Sequence, residues 1–178
     1  MKTRQLATPR KTRPLSARTK KRLPVTVAQL EALPFFSEFS PAHLERIRPA
    51  MELSYFEAGS LLLTPDRAEE PFFVILSGRV NVECTVDRRS FSAEEIGIGE
   101  GLGFPWLFTP DNLLFAARCL EPVTTISFGS SLLRTDLGLE PGLGYELTLH
   151  AGRAMMKRME AIVRALTSVP EKEAAVNL

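Results

Sequence analysis

The sequence predicts an α+β fold that is mainly β: an antiparallel sandwich or barrel flanked by N-terminal helices and one long C-terminal helix. Three observations support this. Residues 52–128 break into short β-like runs separated by Gly, Pro, Asp and Ser, which is typical of antiparallel β folds. Residues 25–50 have the pattern of two short helices around a turn. After Ser131 the apolar period becomes helical and stays so until about Ser168.

The chain of 178 residues is long enough for one domain with appendages. We expect a disordered basic arm at 1–24, the β domain with its N-terminal helices at 25–130, a hinge and long dimerisation helix at 131–168, and a flexible tail at 169–178. No transmembrane segment or secretory signal is indicated. Two isolated cysteines, Cys84 and Cys119, favour a reducing compartment, so we expect a cytoplasmic protein.

The arm is basic, whereas the rest of the chain is acidic. Nine of the 22 Lys and Arg residues lie in residues 1–24, which contain no acidic residue, and the other 13 stand against 21 Asp and Glu, a net charge of −8. The arm has three prolines and no apolar periodicity, which predicts disorder in the free protein. Its candidate contacts for a protein partner, an anionic surface or nucleic acid are Arg10, Lys11, Arg13, Arg18, Lys20, Lys21 and Arg22. Nucleic-acid binding would be non-specific, because the arm has no aromatic residue for base stacking.

The N-terminal helices and the long helix carry clear local signals. Ser40 and Pro41 predict an N-cap and a first-turn proline, followed by Leu44 and Ile47 on one face. The long helix has an apolar seam with alternating spacings of four and three: Tyr145, Leu149, Gly152, Met156, Met159, Val163 and Leu166. Such a heptad seam packs either on its own domain or in a two-stranded coiled coil, and its narrowness favours a homodimer interface.

Six motifs carry a resemblance to a known family. In chain order they are LEALPFFSEFSPAHLERI, YFEAGSLLLTPD, PFFVILSGRVNVE, IGIGEGLGFPWLF, CLEPVTTISF and LGLEPGLGYELTLHAGRAMMKRM. In this order and spacing they resemble the cyclic-nucleotide-binding domain of the catabolite-activator/FNR-like superfamily, over roughly residues 28–167. The resemblance implies a β-roll, a jelly-roll-like barrel, with Gly59 and Gly78 at two hairpin turns.

The resemblance also implies a ligand cassette after Gly103, but this sequence lacks its polar groups. In the family a glutamate accepts a hydrogen bond from the ribose, and an arginine followed by Ser or Thr pairs with the cyclic phosphate. Here Phe104 stands at the glutamate position, and Leu113 and Leu114 stand at the Arg and Ser/Thr positions. The next basic residue is Arg118, on the following strand, where we expect it to face solvent. A buried phosphate without its cation loses about 3–5 kcal/mol, so cyclic nucleotide binding by the usual mode is not expected.

Two interpretations of the degenerate pocket stay open. Aromatic side chains of the cassette and its end fill it from within, or it binds an apolar small molecule. The candidate pocket residues are Gly103, Phe104, Trp106, Leu113, Leu114 and Phe115. We favour self-filling, because an aromatic stretch is more often core than ligand site.

An enzyme is the weakest function class. His43 and His150 lie on separate predicted helices without metal-ligand spacing, and no nucleophile elbow, phosphate loop or carboxylate pair is present, so we expect no catalytic residue, metal or cofactor. The residues after the long helix, TSVPEKEAAVNL, are too short for a helix-turn-helix module. The sequence therefore predicts a regulatory adaptor in signalling that acts through dimer and partner contacts. The alternative is a small-molecule sensor that binds a cyclic nucleotide unusually, or an apolar ligand.

Overall fold

The computed structural model describes residues 18–22, 25–64, 71–86, 89–103, 115–128 and 140–167. The helices are α1 (Val27–Glu31), α2 (Pro41–Ile47) and α3 (Pro141–Thr167), with a 3-10 helix at Arg48–Ala50. The strands are β1 (Arg18–Arg22), β2 (Met51–Phe56), β3 (Leu61–Leu63), β4 (Phe72–Ser77), β5 (Val80–Val86), β6 (Arg89–Ile96), β7 (Gly101–Leu102), β8 (Phe115–Cys119) and β9 (Val123–Phe128). The predicted α+β, mainly β class is confirmed. Within these ranges no helix is both long and apolar enough to cross a membrane.

The strands form two antiparallel sheets. One has the order β1-β2-β9-β4-β7 and the other the order β3-β8-β5-β6. The predicted turn glycines both have positive φ, +78° at Gly59 and +88° at Gly78. At Gly78 a Cβ would also lie only 2.4 Å from the carbonyl oxygen of Pro122. Glycine is therefore required there both by the positive φ and by the lack of space for a side chain. The motif-based prediction of a β-roll thus agrees with the turns and with the pairing.

Helix α2 begins where the sequence predicts. Ser40 caps α2, and its hydroxyl accepts a hydrogen bond of 3.2 Å from the backbone N–H of His43. Leu44 and Ile47 are both buried, as their spacing predicts. This cap fixes the start of α2, and the apolar side chains of the helix lie in the helix-side core.

The prediction of a disordered arm at 1–24 is wrong for its last part. Residues Arg18–Arg22 form edge strand β1, antiparallel to β2, with Arg22 opposite Glu52 and Lys21 opposite Leu53. The physical reason is the free edge of β2, which offers backbone donors and acceptors that a strand of low β propensity can still satisfy. The arm cations Arg10, Lys11 and Arg13 lie outside the described residues.

The five-stranded sheet is buried on both faces, because side chains alternate along each strand. In β4, Phe72 and Val74 face the helices, whereas Phe73 and Ile75 face the second sheet. The helix-side core is completed mainly by α1, α2, the turn between them and α3. The core between the sheets, here called the roll core, consists of Phe56, Leu62, Leu63, Phe73, Ile75, Val80, Val82, Ile96, Leu102, Ala117, Cys119 and Val123. Every side chain of the roll core is at most 4% exposed.

Candidate functional site

Helix α3 has an inner face against the β-roll and an outer face in solvent. On the inner face Leu143, Leu147 and Ala151 are at most 2% exposed. The outer face carries the predicted seam: Tyr145, Leu149, Gly152, Met156, Met159 and Val163. Four of these apolar residues, Tyr145, Met156, Met159 and Val163, are 51–70% exposed. The structure therefore brings the predicted seam together on a surface that the rest of the described chain does not cover; the side chain of Leu166 lies outside the described part.

A groove of about 680 Å³ runs along the outer face. Its floor is at Gly152, where an added Cβ would meet no atom within 4 Å. Tyr145, Leu149 and Met156 form its apolar walls, and Arg153 lies at its rim. The glycine leaves a hollow large enough for a side chain of another helix.

The C-terminal half of the inner face is held by charge. Arg158 and Glu94 form a pair of 3.3 Å between side chains that are only 8% and 10% exposed. Lys157 bonds to Glu100 and lies 3.5 Å from Glu94. Burial lowers the pKa of Arg158, and the hydrogen bond to Glu100 raises the pKa of Lys157. The cluster, here called the clasp, ties α3 to strand β6 and to the turn that precedes Gly101.

The clasp is a set of paired charges that the sequence prediction missed. Arg158 follows Leu147, Ala151 and Ala154 at helical spacing, so a second stripe was present on the opposite side of the helix. Glu94 lies 64 residues earlier in the chain, and no local pattern connects it with Arg158. The inner-face stripe could therefore have been found from its helical spacing, but its pairing with Glu94 could not be found from the sequence.

Both histidines contact other elements of the fold. His43 connects α2 with α3 through a 2.8 Å hydrogen bond between its Nδ1 and Glu146. His150 lies on the inner face of α3, stacked on Phe39 with ring centroids 4.8 Å apart. Burial lowers the pKa of His150, an effect opposed by Glu38 at 3.9 Å. Among the described residues no cluster of His, Cys, Asp and Glu could hold a metal ion.

The structure describes both ends of the predicted cassette. Gly103 has φ +94°, and a Cβ there would lie 2.7 Å from the carbonyl oxygen of Pro71, so glycine is required where the cassette begins. Phe115 starts β8 and packs against the roll core, half-buried. The predicted pocket residues Phe104, Trp106, Leu113 and Leu114 lie outside the described residues.

Arg118, the first basic residue after the cassette, is held away from the roll core. Its neighbours Ala117 and Cys119 belong to that core, so alternation directs Arg118 to the opposite face of the sheet. It is 41% exposed and bonds to Glu83 at 2.9 Å and to the carbonyl oxygen of Gly59 at 3.2 Å. This half-exposed, paired arginine agrees with the predicted outward placement.

Comparison with known proteins shows similarity in structure alone. No protein-family profile matches the chain, and no curated protein matches its sequence. A Methylobacillus flagellatus cyclic nucleotide-binding domain superposes with a TM-score of 0.67 at 18% identity, covering 82% of this chain and 83% of that one. A Geobacter metallireducens protein named for cyclic nucleotide binding gives 0.66 at 20% identity, with coverages of 76% and 98%.

A third similar structure contains a bound nucleoside. It is the regulatory subunit of a cAMP-independent protein kinase A from Trypanosoma cruzi bound to guanosine, with a TM-score of 0.56 at 16% identity, covering 70% of this chain and 48% of that one. The shared architecture, at these low identities, is evidence of fold. The chain therefore has the β-roll fold of cyclic-nucleotide-binding domains, as its six motifs predict.

Proposed function

We propose that this protein is a non-enzymatic regulatory adaptor that works as a homodimer through the outer face of α3. The observation that carries the proposal is the exposed apolar seam, with Tyr145, Met156, Met159 and Val163 each more than half in solvent. Contact with a protein partner or an anionic surface falls to the basic arm, whose last four cations lie on edge strand β1. The cassette does not take part by binding a cyclic nucleotide in the usual mode.

Contact with a second copy of the chain is energetically more favourable for the apolar outer face than contact with water. Burying an exposed Met or Val side chain contributes about 1.5–3 kcal/mol, and one copy presents several on a single stripe. The alternating spacing of four and three residues keeps these side chains on the contact line of two helices over three repeats. Neighbouring charges such as Arg153 and Glu160 lie beside the stripe, as at the rim of a helical interface.

The proposed dimer is tested by replacing one central residue. Met156→Lys puts a charge into the seam without touching the inner face, so we expect the fold to persist and the dimer dissociation constant to rise by about 100-fold or more. Sedimentation equilibrium measures the mass, and circular dichroism checks the fold. Arg164→Ala, an exposed change beside the seam, is the matched control and should leave the dimer intact. A wild type that stays monomeric at about 100 μM, a concentration at which weak complexes form, contradicts the proposal.

The proposal that the cassette does not bind a cyclic nucleotide in the usual mode rests on the charges and the packing around the cassette. Residues 104–117 contain no Lys or Arg, and Arg118 is engaged by Glu83 on the face opposite the roll core. A phosphate bound by the cassette in the usual mode would therefore lack its cation unless Arg118 left Glu83 and crossed the sheet. The described part of the roll core is already closed to solvent, which favours self-filling.

Ligand titration tests the cassette proposal and its alternative. We expect no saturable change in Trp106 fluorescence or in heat when cyclic AMP or cyclic GMP is added to millimolar levels. Guanosine belongs in the same series, because the similar Trypanosoma cruzi structure holds it and it carries no phosphate charge to neutralise. Saturation by a cyclic nucleotide at micromolar concentration would overturn the proposal. Saturation by guanosine alone would support the alternative of a small-molecule sensor without phosphate recognition.

A further inference from the structure

A second cavity, of about 170 Å³, lies between α3, the turn that joins α1 to α2 and the turn that joins β6 to β7. We propose that this space, here called the clasp cavity, binds a small oxyanion, either a short carboxylate or inorganic phosphate, between His150 and Arg158. The site lies within one chain, so it does not depend on the homodimer. Gly103 and Phe115, the described ends of the cassette, do not line it.

The clasp cavity exists because a small residue separates two large polar ones on the inner face of α3. His150, Ala154 and Arg158 follow one another at spacings of four residues, so they lie on one side of the helix, and all three line the cavity. Long side chains of a helix lean toward its N-terminus, which directs Arg158 toward Ala154. The short side chain of Ala154 leaves the space between the two polar residues open.

Two buried side chains that line the cavity have N–H groups without acceptors. Arg158 is 7% exposed, and its one hydrogen bond to the described part of the chain runs from Nε to Glu94 at 3.3 Å. The terminal nitrogens of its guanidinium make none there. His150 is 9% exposed, and its Nε2 lies 3.9 Å from a carboxylate oxygen of Glu38, beyond hydrogen-bond distance. Buried donors without acceptors are costly, so a ligand that brings acceptor oxygens is favoured.

The two carboxylates that line the cavity are engaged by other groups. Glu94 lies 3.3 Å from Nε of Arg158 and 3.5 Å from Nζ of Lys157. Glu100 bonds to Lys157 through Oε1 and accepts a backbone N–H through Oε2 at 2.8 Å. Two carboxylates and two cations therefore balance each other in charge. The group that can neutralise an added anion is His150, by taking up a proton.

The size of the cavity and its fixed walls select a small ion. One water occupies about 30 Å³ of the liquid, so a space of about 170 Å³ holds acetate or phosphate but not a nucleotide. The backbone N–H of Phe35 donates to the carbonyl oxygen of Gly99 at 2.9 Å, which joins two of the walls. Gly99 also packs so closely on Pro34 that there is no room for a Cβ. An ion held between α3 and these turns therefore stabilises the docking of the helix.

Binding of the anion is linked to protonation of His150. Burial keeps the pKa of this side chain below its usual value, whereas an adjacent oxyanion favours the charged form. Affinity should therefore fall by up to tenfold per pH unit as the pH rises above about 6.5. The charged groups around the ring come from the α1–α2 turn, α3, β6 and the β6–β7 turn: Glu38, Glu146, Arg153, Lys157, Arg158, Glu94 and Glu100.

Calorimetric titration of the full chain tests the site, with acetate and inorganic phosphate as probes and sodium chloride to hold the ionic strength constant. Arg158→Lys keeps a cation beside Glu94 but loses the planar guanidinium, so it should weaken binding of the preferred probe by about tenfold or more. Arg164→Lys, an exposed change on the same helix, is the matched control and should bind as the wild type does. A preference for acetate indicates a carboxylate ligand, and a preference for phosphate indicates the inorganic ion.

Two further variants separate the cavity from its charges. Ala154→Leu fills the space without removing a charge and should abolish saturable binding, whereas Met155→Leu, at an exposed position outside the cavity, should not. Circular dichroism checks the fold of each variant. His150→Phe keeps an aromatic ring against Phe39 but takes up no proton. It should remove the pH dependence of acetate binding between about pH 6.5 and 8.

The outcomes decide the inference without reference to the dimer. Saturable binding that is lost in Ala154→Leu and weakened in Arg158→Lys, but kept in both controls, supports the site. Binding that survives in both variants lies elsewhere, for example on the basic arm, and overturns it. No saturable heat from either probe up to about 10 mM also overturns it. If Ala154→Leu fails to fold, the comparison of Arg158→Lys with Arg164→Lys decides alone, and acetate binding that does not change with pH overturns the role of His150.

Discussion

The inner and outer faces of α3 carry opposite kinds of side chain in the C-terminal half of the helix. Beyond Ala151 the inner face holds Ala154 and the buried Arg158, which is paired with Glu94. Over the same stretch the outer face holds Met156, Met159 and Val163, all more than half exposed. A surface helix of a monomer ordinarily shows the reverse, with large apolar residues inward and charges outward.

In the proposed homodimer the two faces of α3 govern separate equilibria: the inner face governs folding and the outer face governs association. The inner face joins the helix to the β-roll through Leu143 and Leu147 near its start and through the clasp further on. Changes there should alter the free energy of unfolding at any protein concentration. Changes on the outer face should alter association, so their effect on stability should depend on concentration.

Breaking the clasp should give the largest effect. Glu94→Gln leaves Arg158 buried without its nearest counter-charge, and removing one partner of a buried pair typically costs about 3–5 kcal/mol. We expect the free energy of unfolding, measured by urea denaturation, to fall by this amount in both monomer and dimer.

The neighbouring residue provides a matched control. Glu95 pairs with Arg79 at 3.4 Å, but both side chains are more than half exposed, so Glu95→Gln should change stability by less than about 1 kcal/mol. Equal losses in the two variants would show that burial of the Arg158 pair does not govern the inner face.

The sequence predicted the outer face better than the inner one for a physical reason. The seam from Tyr145 to Val163 is a periodic pattern within one helix, so its spacing follows from local residues alone. The clasp joins residues 64 positions apart, and strand β1 pairs a basic segment with β2 across about thirty residues. Long-range pairings of this kind leave no signal in a short window.

The prediction for the cassette depended on residue type rather than on position. Phe104, Leu113 and Leu114 lack the charges that a phosphate site needs in any conformation, so that part of the site could be judged without coordinates. The direction of the Arg118 side chain, in contrast, could be stated only as an expectation. Its pairing with Glu83 depends on the β5–β8 register, which only the folded sheet defines.

The pH dependence of stability tests the inner face at His150. Burial lowers the pKa of this side chain below its unfolded value of about 6.5. Because the unfolded chain then binds the proton more readily, stability is complete above about pH 6.5 and falls as the pH drops through the folded pKa. The slope from one such group is at most about 1.4 kcal/mol per pH unit.

The histidine assignment is checked by urea denaturation between pH 5 and 7, where few carboxyl groups titrate. His150→Gln should remove most of the slope in this range, whatever it does to stability at pH 7. His43→Gln, a change in the chain's other histidine, should leave the His150 slope in place. If the slope survives in His150→Gln, some other group causes it.

The smallest effect is expected at Gly152 on the outer face, where one substitution should change folding and association in opposite directions. Gly152→Ala adds a Cβ that meets no atom within 4 Å in the single chain, so the gain in helix propensity, about 1 kcal/mol, should raise the stability of the monomer. The same methyl group occupies the hollow that the second copy would fill, so the dimer should weaken. Denaturation at low protein concentration and sedimentation equilibrium at high concentration measure the two effects separately. A stabilised monomer with an unchanged dimer would place the helix–helix contact away from Gly152, whereas opposite signs would show that this glycine is retained for association at the expense of folding.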